Sequence, residues 1–252
     1  MIHCFTVKRI AAHMDAIVVR LIEYGEADLV VGLLTEEHGR ISAFAPSARK
    51  SQKRFGSALD LFALVRAEMS SGSSTRSSGL WRLKRIELLD LHDGIRKNLE
   101  RFACAAYFSE CLWSLVGEGD PQPRLFQWWK RTLNLLARET DSYRPGPELD
   151  VELLTLLGHG PRWDTCTECG RVPSGENLFF SFERGGVTCG PCRKPGEGRW
   201  LPRAAVEILR QGGDLFGASR NDARRALDDF VSYTLGREPR SQRFREEMSS
   251  AV

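Results

Sequence analysis

Over the first ninety residues the apolar side chains fall in short β-branched runs; beyond them they recur every third or fourth residue. The first pattern predicts strands and the second helices. Strands are expected over residues 15–23, 29–35, 40–45, 58–66 and 80–88. Turn signals at Tyr24–Asp28 and Glu36–Gly39 separate the first three. No crossover helix lies between them, so the five strands predict a small closed barrel rather than a parallel sheet. Residues 70–79 carry no apolar side chain and read as a mobile hairpin loop between the fourth and fifth strands.

The period changes at Asp93. Ile95, Leu99, Phe102, Ala106, Trp113 and Val116 mark one face of a long helix, broken by residues 117–123. Leu125, Trp128, Trp129, Thr132 and Leu136 mark a second helix, and Leu149, Leu153, Leu156 and Leu157 a third, stopped at Gly158. A short helix over residues 201–209 has Pro202 near its start. Ser219–Asp222 reads as a capping box opening a final helix that ends at Gly236. The charged tail beyond Arg237 is expected to fray. The fold class is α+β, a barrel followed by a helical domain. The boundaries are a 1–13 extension, a 14–90 barrel, a 91–245 helical domain and a 246–252 tail.

Cysteine spacing adds a metal module. Cys166 and Cys169 form one Cys-x-x-Cys pair, Cys189 and Cys192 another, with nineteen residues between. Two such knuckles can close a tetrahedral thiolate cage on one structural zinc ion, here within residues 164–195. Four thiolates leave no open coordination position, so the ion cannot activate water. No histidine has glutamate two residues on, as a zinc deaminase requires. A thioredoxin-like role for Cys189-Gly-Pro-Cys192 needs a helix after the pair, and residues 193–198 cannot form one. Cys104 and Cys111 lie in an apolar helical stretch and read as buried free thiols.

Composition, at 42% hydrophobic and 27% charged, is that of a globular chain. There is no membrane-spanning apolar run and no secretory leader, so a cytoplasmic location is expected. No phosphate loop, metalloprotease or nucleophile-elbow motif occurs, and no catalytic residue is assigned.

The net charge of +3 predicts no partner by itself, but its distribution does. No acidic residue occurs from His38 to Leu59, where Arg40, Arg49, Lys50, Lys53 and Arg54 are basic. Arg82, Lys84 and Arg85 add charge on the fifth strand. A barrel with a positive loop suits single-stranded nucleic acid, with cations on phosphates and aromatic rings on bases. Phe44 reads as a core side chain and Phe55 as the stacking ring. A solvated loop is the alternative reading of the basic run.

Several segments, in order, resemble the bacterial RecO recombination mediators. They are Asp15–Arg20, Tyr24–Asp28, Leu34–Arg40, Lys53–Gly56, Glu152–Asp164 before Cys166, Phe180–Gly186 before Cys189, and Arg240–Phe244. The resemblance covers residues 14–245. It implies an OB-fold barrel, a helical domain carrying the zinc module, and binding of single- and double-stranded DNA. It also implies strand annealing and work with RecR and the acidic tail of single-stranded-DNA-binding protein to load RecA in recombinational repair. Some members lack the four cysteines, so zinc is not expected to be central to the shared activity. Two departures stand out. Residues 1–13 have no counterpart, which makes Met14 an alternative start, and Ala45–Ala48 replaces a glycine-containing basic turn.

These expectations describe an electrostatic annealer and adaptor associated with the nucleoid. Arg124, Lys130 and Arg131, near Trp128 and Trp129, are candidates for docking the acidic tail; solvated helix charges beside core tryptophans are the plainer reading. The rival function is a zinc-stabilised protein adaptor that never touches nucleic acid.

Overall fold

β-Branched residues at alternate positions close a barrel in the first third of the chain. The computed structural model describes residues 11–56, 58–70, 80–138, 146–211 and 218–250. The strands are β1 (Ala11–Tyr24), β2 (Asp28–Thr35), β3 (Gly39–Ala45), β4 (Leu64–Ser70) and β5 (Trp81–Asp90). Their order is β1-β2-β3-β5-β4, and β1 pairs with both β2 and β4, so the sheet closes. β3 and β5 run parallel, and the other pairs are antiparallel. This is an OB-like barrel. Small and branched side chains fill it, among them Ala16, Val18, Val31, Leu33, Ile41, Ala43, Val65 and Leu83.

Two boundaries differ from expectation. Residues 11–13, expected in an extension, belong to β1 and pair with β4, with His13 opposite Glu68. The fourth strand starts at Leu64, not residue 58. Phe62 adopts a left-handed backbone with φ 70°, and its N–H donates to the Val18 carbonyl at 2.8 Å. Ala58 and Phe62 are buried by a turn, which explains an apolar run that mimics a strand. The expected 70–79 loop lies, beyond Ser70, outside the described residues.

The three helices that follow β5 belong to the same compact unit as the barrel, residues 1–142. The long helix expected from Asp93 is two: α2 (Asp93–Arg96) and α3 (Leu99–Leu115). Asn98 separates them in extended conformation, its side chain accepting the Arg101 N–H at 3.1 Å as an N-cap. α4 (Pro123–Arg138) follows. Phe108 of α3 meets Trp128 of α4 edge to face at 5.6 Å. Trp113 joins α3 to the barrel. A Cβ at Gly32 of β2 would lie 2.5 Å from its ring, so only glycine admits the indole there. Arg20 and Arg40 flank that ring at 5.4 and 4.7 Å.

His92 sits at the junction of barrel and α2, 2% exposed, with Nδ1 2.8 Å from the Phe62 carbonyl. Its Nε2 is buried without a hydrogen-bond partner among the described residues, 4.0 Å from the Asp90 carboxylate. Burial lowers its pKa; the Phe62 carbonyl and the Asp90 carboxylate oppose this, and the α4 cations Arg138 and Lys130 reinforce it. A depressed histidine pKa contributes stability that is complete above the unfolded value, about 6.5, and is lost as pH falls below it. His92→Asn keeps a residue tolerant of its left-handed φ of 51°. Thermal midpoints at pH 7.5 and 5.5 should show a smaller acid loss in the variant than in the parent.

The second compact unit covers residues 143–252. α5 (Pro147–Leu156) is followed by β6 (Asn177–Ser181), β7 (Gly186–Thr188) and β8 (Gly198–Pro202). These form a three-stranded sheet ordered β7-β6-β8, which strands of three to five residues did not signal in the sequence. α6 (Arg203–Gln211) begins after Pro202, which ends β8 rather than opening a helix. α7 (Ala218–Leu235) is already helical at Ala218, so Ser219 lies inside it and does not cap it. Gly236, at φ 67°, terminates it as expected.

The described part of the tail beyond Arg237 is not frayed. α8 (Arg240–Ser250) packs Arg245 into the unit at 1% exposure. Nη1 of Arg245 reaches both Asp150 oxygens at 3.0 and 3.2 Å, and Nη2 donates to Asp228. Among the described residues no helix is long and apolar enough to cross a membrane.

Candidate metal centre and nucleic-acid surface

Two tight turns aim four sulfurs at one point. The Gly170 N–H donates to the Cys166 carbonyl at 3.0 Å, and the Cys192 N–H to the Cys189 carbonyl at 3.0 Å. All four sulfurs lie within 4.8 Å of one another, and those of Cys169 and Cys189 are 3.7 Å apart. Four thiolates held tetrahedrally at about 2.3 Å from zinc stand about 3.8 Å apart, so the set fits such an ion. Cys166 is fully buried, and Cys169 is exposed.

Local electrostatics favour a cation there. Burial raises the Cys166 thiol, yet backbone N–H bonds from Cys169, Cys189 and Glu168 outweigh it and bring the pKa to about 6. Bonds with the Cys189 and Cys169 sulfurs hold Cys192 up at about 12. Four adjacent sulfurs cannot all ionise without a positive charge among them. Cys192 ends a single 3-10 turn, and no helix follows. The redox geometry is therefore absent, and the closed donor set can hold structure but not activate water.

The basic residues separate into two groups. Arg40 faces inward to α3, lying over Trp113 and donating from Nη1 to its carbonyl. Arg54 of α1 (Gln52–Phe55) bonds Ser51 Oγ at 3.0 Å and the Pro46 carbonyl at 2.8 Å, holding the loop. Phe55 is 1% exposed and belongs to the barrel core. A buried ring has no face for a base, so the stacking role expected of it is corrected. Apolar contacts with the barrel outweigh the polar sequence around it.

The second group points to solvent. Lys50 and Lys53 are exposed without a carboxylate partner among the described residues, and Arg49 lies 3.3 Å from Glu23. β5 breaks its in–out alternation at a β-bulge. Glu68 pairs with Arg85 and Met69 with Leu83, leaving Lys84 unpaired. Lys84 and Arg85 therefore both face outward, beside exposed Arg82. Lys84 lies 3.7 Å from Glu68. α1 packs on β5, and a cleft of about 590 Å³ gathers Lys53, Arg54, Arg66 and Arg85 with Glu68 and Glu87. The 45–48 turn needs no glycine. Ser47 takes φ 53°, and its N–H donates to Asp28 at 2.6 Å.

Phe44 is not in the core. In β3, Ile41, Ala43 and Ala45 point inward, whereas Phe44 points out and is half-buried. It meets exposed Tyr24 edge to face, with ring centroids 5.9 Å apart. On α4, Arg124 and Arg131 are exposed and Lys130 is half-buried. Trp128 and Trp129 are buried core rings and give those cations no exposed aromatic neighbour.

Residues 10–92 match the family model described as Recombination protein O N terminal, and residues 96–243 match Recombination protein O C terminal. A DNA repair protein RecO from Anaeromyxobacter dehalogenans is 36% identical, covering 93% of this chain and 96% of its own. One from Myxococcus xanthus is also 36% identical, covering 91% and 95%. One from Pelobacter propionicus is 31% identical, covering 94% and 97%.

Proposed function

The chain belongs to the RecO family of DNA repair proteins, and from that premise we propose that it is a recombination mediator working by charge and shape. It binds single- and double-stranded DNA and anneals complementary strands. With RecR it helps load RecA onto DNA coated by single-stranded-DNA-binding protein, in the bacterial cytoplasm at the nucleoid. No covalent step is involved.

The observation that supports this best is the gathering of cations from distant segments on one barrel wall. Lys53 from α1 and Arg85 from β5 line the same cleft. Arg49, Lys50, Arg82 and Lys84 are further cations exposed on the same compact unit. Positive charge offsets repulsion between two phosphate backbones and raises the encounter rate of complementary strands. Arg124, Lys130 and Arg131 on α4 are the proposed contact for the acidic tail of the coating protein. The four cysteines hold one zinc ion that fixes the second unit.

Salt-dependent titration of labelled oligo(dT) tests the DNA surface. Five cations on single-stranded phosphates give a log–log slope of about −3 to −4. Changing Lys50, Lys53, Arg82 and Arg85 to alanine should make the slope shallower by about 3. Unchanged affinity and slope would instead favour the protein-only adaptor.

A further inference from the structure

Two aromatic rings lie outside a barrel whose interior is filled by other side chains. Phe44 points away from the core, and Tyr24, at the end of β1, is 60% exposed. Their rings stand at 90° with centroids 5.9 Å apart. Phe44 is flanked in register by Val30 of β2 and Arg82 of β5. Partners in register project to the same side of a sheet, so the Arg82 guanidinium leaves the barrel beside the Phe44 ring. No carboxylate pairs with Arg82 among the described residues. Arg49 lies 3.3 Å from Glu23, the residue before Tyr24 in β1. Its backbone N–H is held by the Ala27 carbonyl at 3.0 Å, which ties the basic loop to the β1–β2 turn.

We propose that Tyr24 and Phe44 form the base-stacking platform of this protein for single-stranded nucleic acid, with Arg82 and Arg49 on the flanking phosphates. The proposal rests on the DNA-binding reading above and assigns it a site. Phe44 packs on Tyr24 at 90°, and Tyr24, exposed to solvent, keeps ring surface open to a nucleobase. Every base has a π-face, so the contact tolerates any sequence, as annealing requires. A base inside a duplex offers no free face, so the platform selects single strands.

Binding of labelled oligo(dT) and of a blunt duplex, measured over a salt series, tests this. Tyr24→Ala should weaken oligo(dT) binding about ten- to a hundred-fold, the range for losing one stacked base. The salt slope should not change, because no phosphate contact is lost. Duplex binding should also be unchanged. Tyr24→Trp should restore oligo(dT) affinity, and Phe44→Leu, which keeps the apolar contact with Val30, should show an intermediate loss. Tyr24 is exposed, so an unshifted thermal midpoint is the expected control.

Parent-like oligo(dT) binding by Tyr24→Ala, while the alanine variant of the four cations binds weakly, would overturn the platform and leave the DNA-binding function standing. Parent-like binding by both would remove both. An aromatic pair beside an arginine also suits a protein contact, and that alternative predicts the same unchanged oligo(dT) affinity for Tyr24→Ala.

Discussion

Cys166→Ala is expected to empty the metal centre and unfold residues 164–202 while the barrel stays folded. Cys166 is the one fully buried thiol of the four, and it accepts the Cys189 N–H at 3.4 Å. Losing it removes a ligand and the hydrogen bond that ties one knuckle to the other. Structural zinc contributes about 10–16 kcal/mol of apparent folding free energy in zinc-finger peptides. A whole domain is stable by only about 5–15 kcal/mol, so an effect of that order decides whether the module folds. One opposing term is visible. Leu178, Phe180, Val187 and Leu201 are buried, and Phe180 meets Trp163 at 4.7 Å and Phe230 at 5.1 Å. Hydrogen exchange with metal analysis separates the two contributions. Loss of protection across β6–β8 with loss of metal is the expected result. Protection retained without metal would show that the apolar core alone holds the sheet. Because the cage lies in the second unit, the oligo(dT) salt slope should not change.

The second large effect belongs to Arg245. Arg245→Met should destabilise the second unit by about 3–5 kcal/mol, the range for leaving a buried charge without its partner. Asp150 and Asp228 are each 2% exposed, and without the guanidinium two carboxylates would face each other in the dry interior. Burial already holds the Asp228 carboxyl above the usual carboxylate range, and Arg245 works against that rise. A group whose folded pKa is raised contributes stability at low pH that is lost as pH rises through that pKa. The deficit of Arg245→Met should therefore be smaller at pH 5 than at pH 7.5 in urea unfolding. Asp228→Asn combined with Arg245→Met should recover part of it. A deficit independent of pH and unrelieved by Asp228→Asn would mean that lost packing, not charge, dominates.

Arg245 also shows where sequence reading stops. Its surroundings, residues 240–247, are charged and polar, and nothing local signals burial. The partners are 17 and 95 residues away, so only the tertiary fold brings them together. The barrel was far more legible. β-Branched runs and turn residues set four of five strands within a few positions, and the paired knuckles were plain from spacing alone. The short strands β6–β8 were hidden because five residues or fewer hold too little period to detect.

The inversion of Phe44 and Phe55 has a sharper cause. Side-chain direction in a strand alternates, so assigning one residue to the core fixes all its neighbours. Taking the large ring of Phe44 as core would have turned Ile41, Ala43 and Ala45 outward. The narrow barrel prefers those three smaller side chains inside, and the parity of the β3 segment carried that signal. Phe55 had no parity to read. It reaches the core from a single turn of helix on the connection between β3 and β4.

The packing of α2–α4 on the barrel has an evolutionary consequence. Ile17 and Phe62 are fully buried yet stand outside the barrel's interior cluster, and Phe62 meets Phe102 of α3 at 5.4 Å. This barrel thus has a dry outer wall as well as a dry interior, and Gly32 is notched to receive Trp113. Recombination between genes could not move the five strands alone into another protein without wetting that wall. The heritable module is the barrel with α1–α4, and the natural seam for shuffling falls near residue 142, not at the end of the last barrel strand.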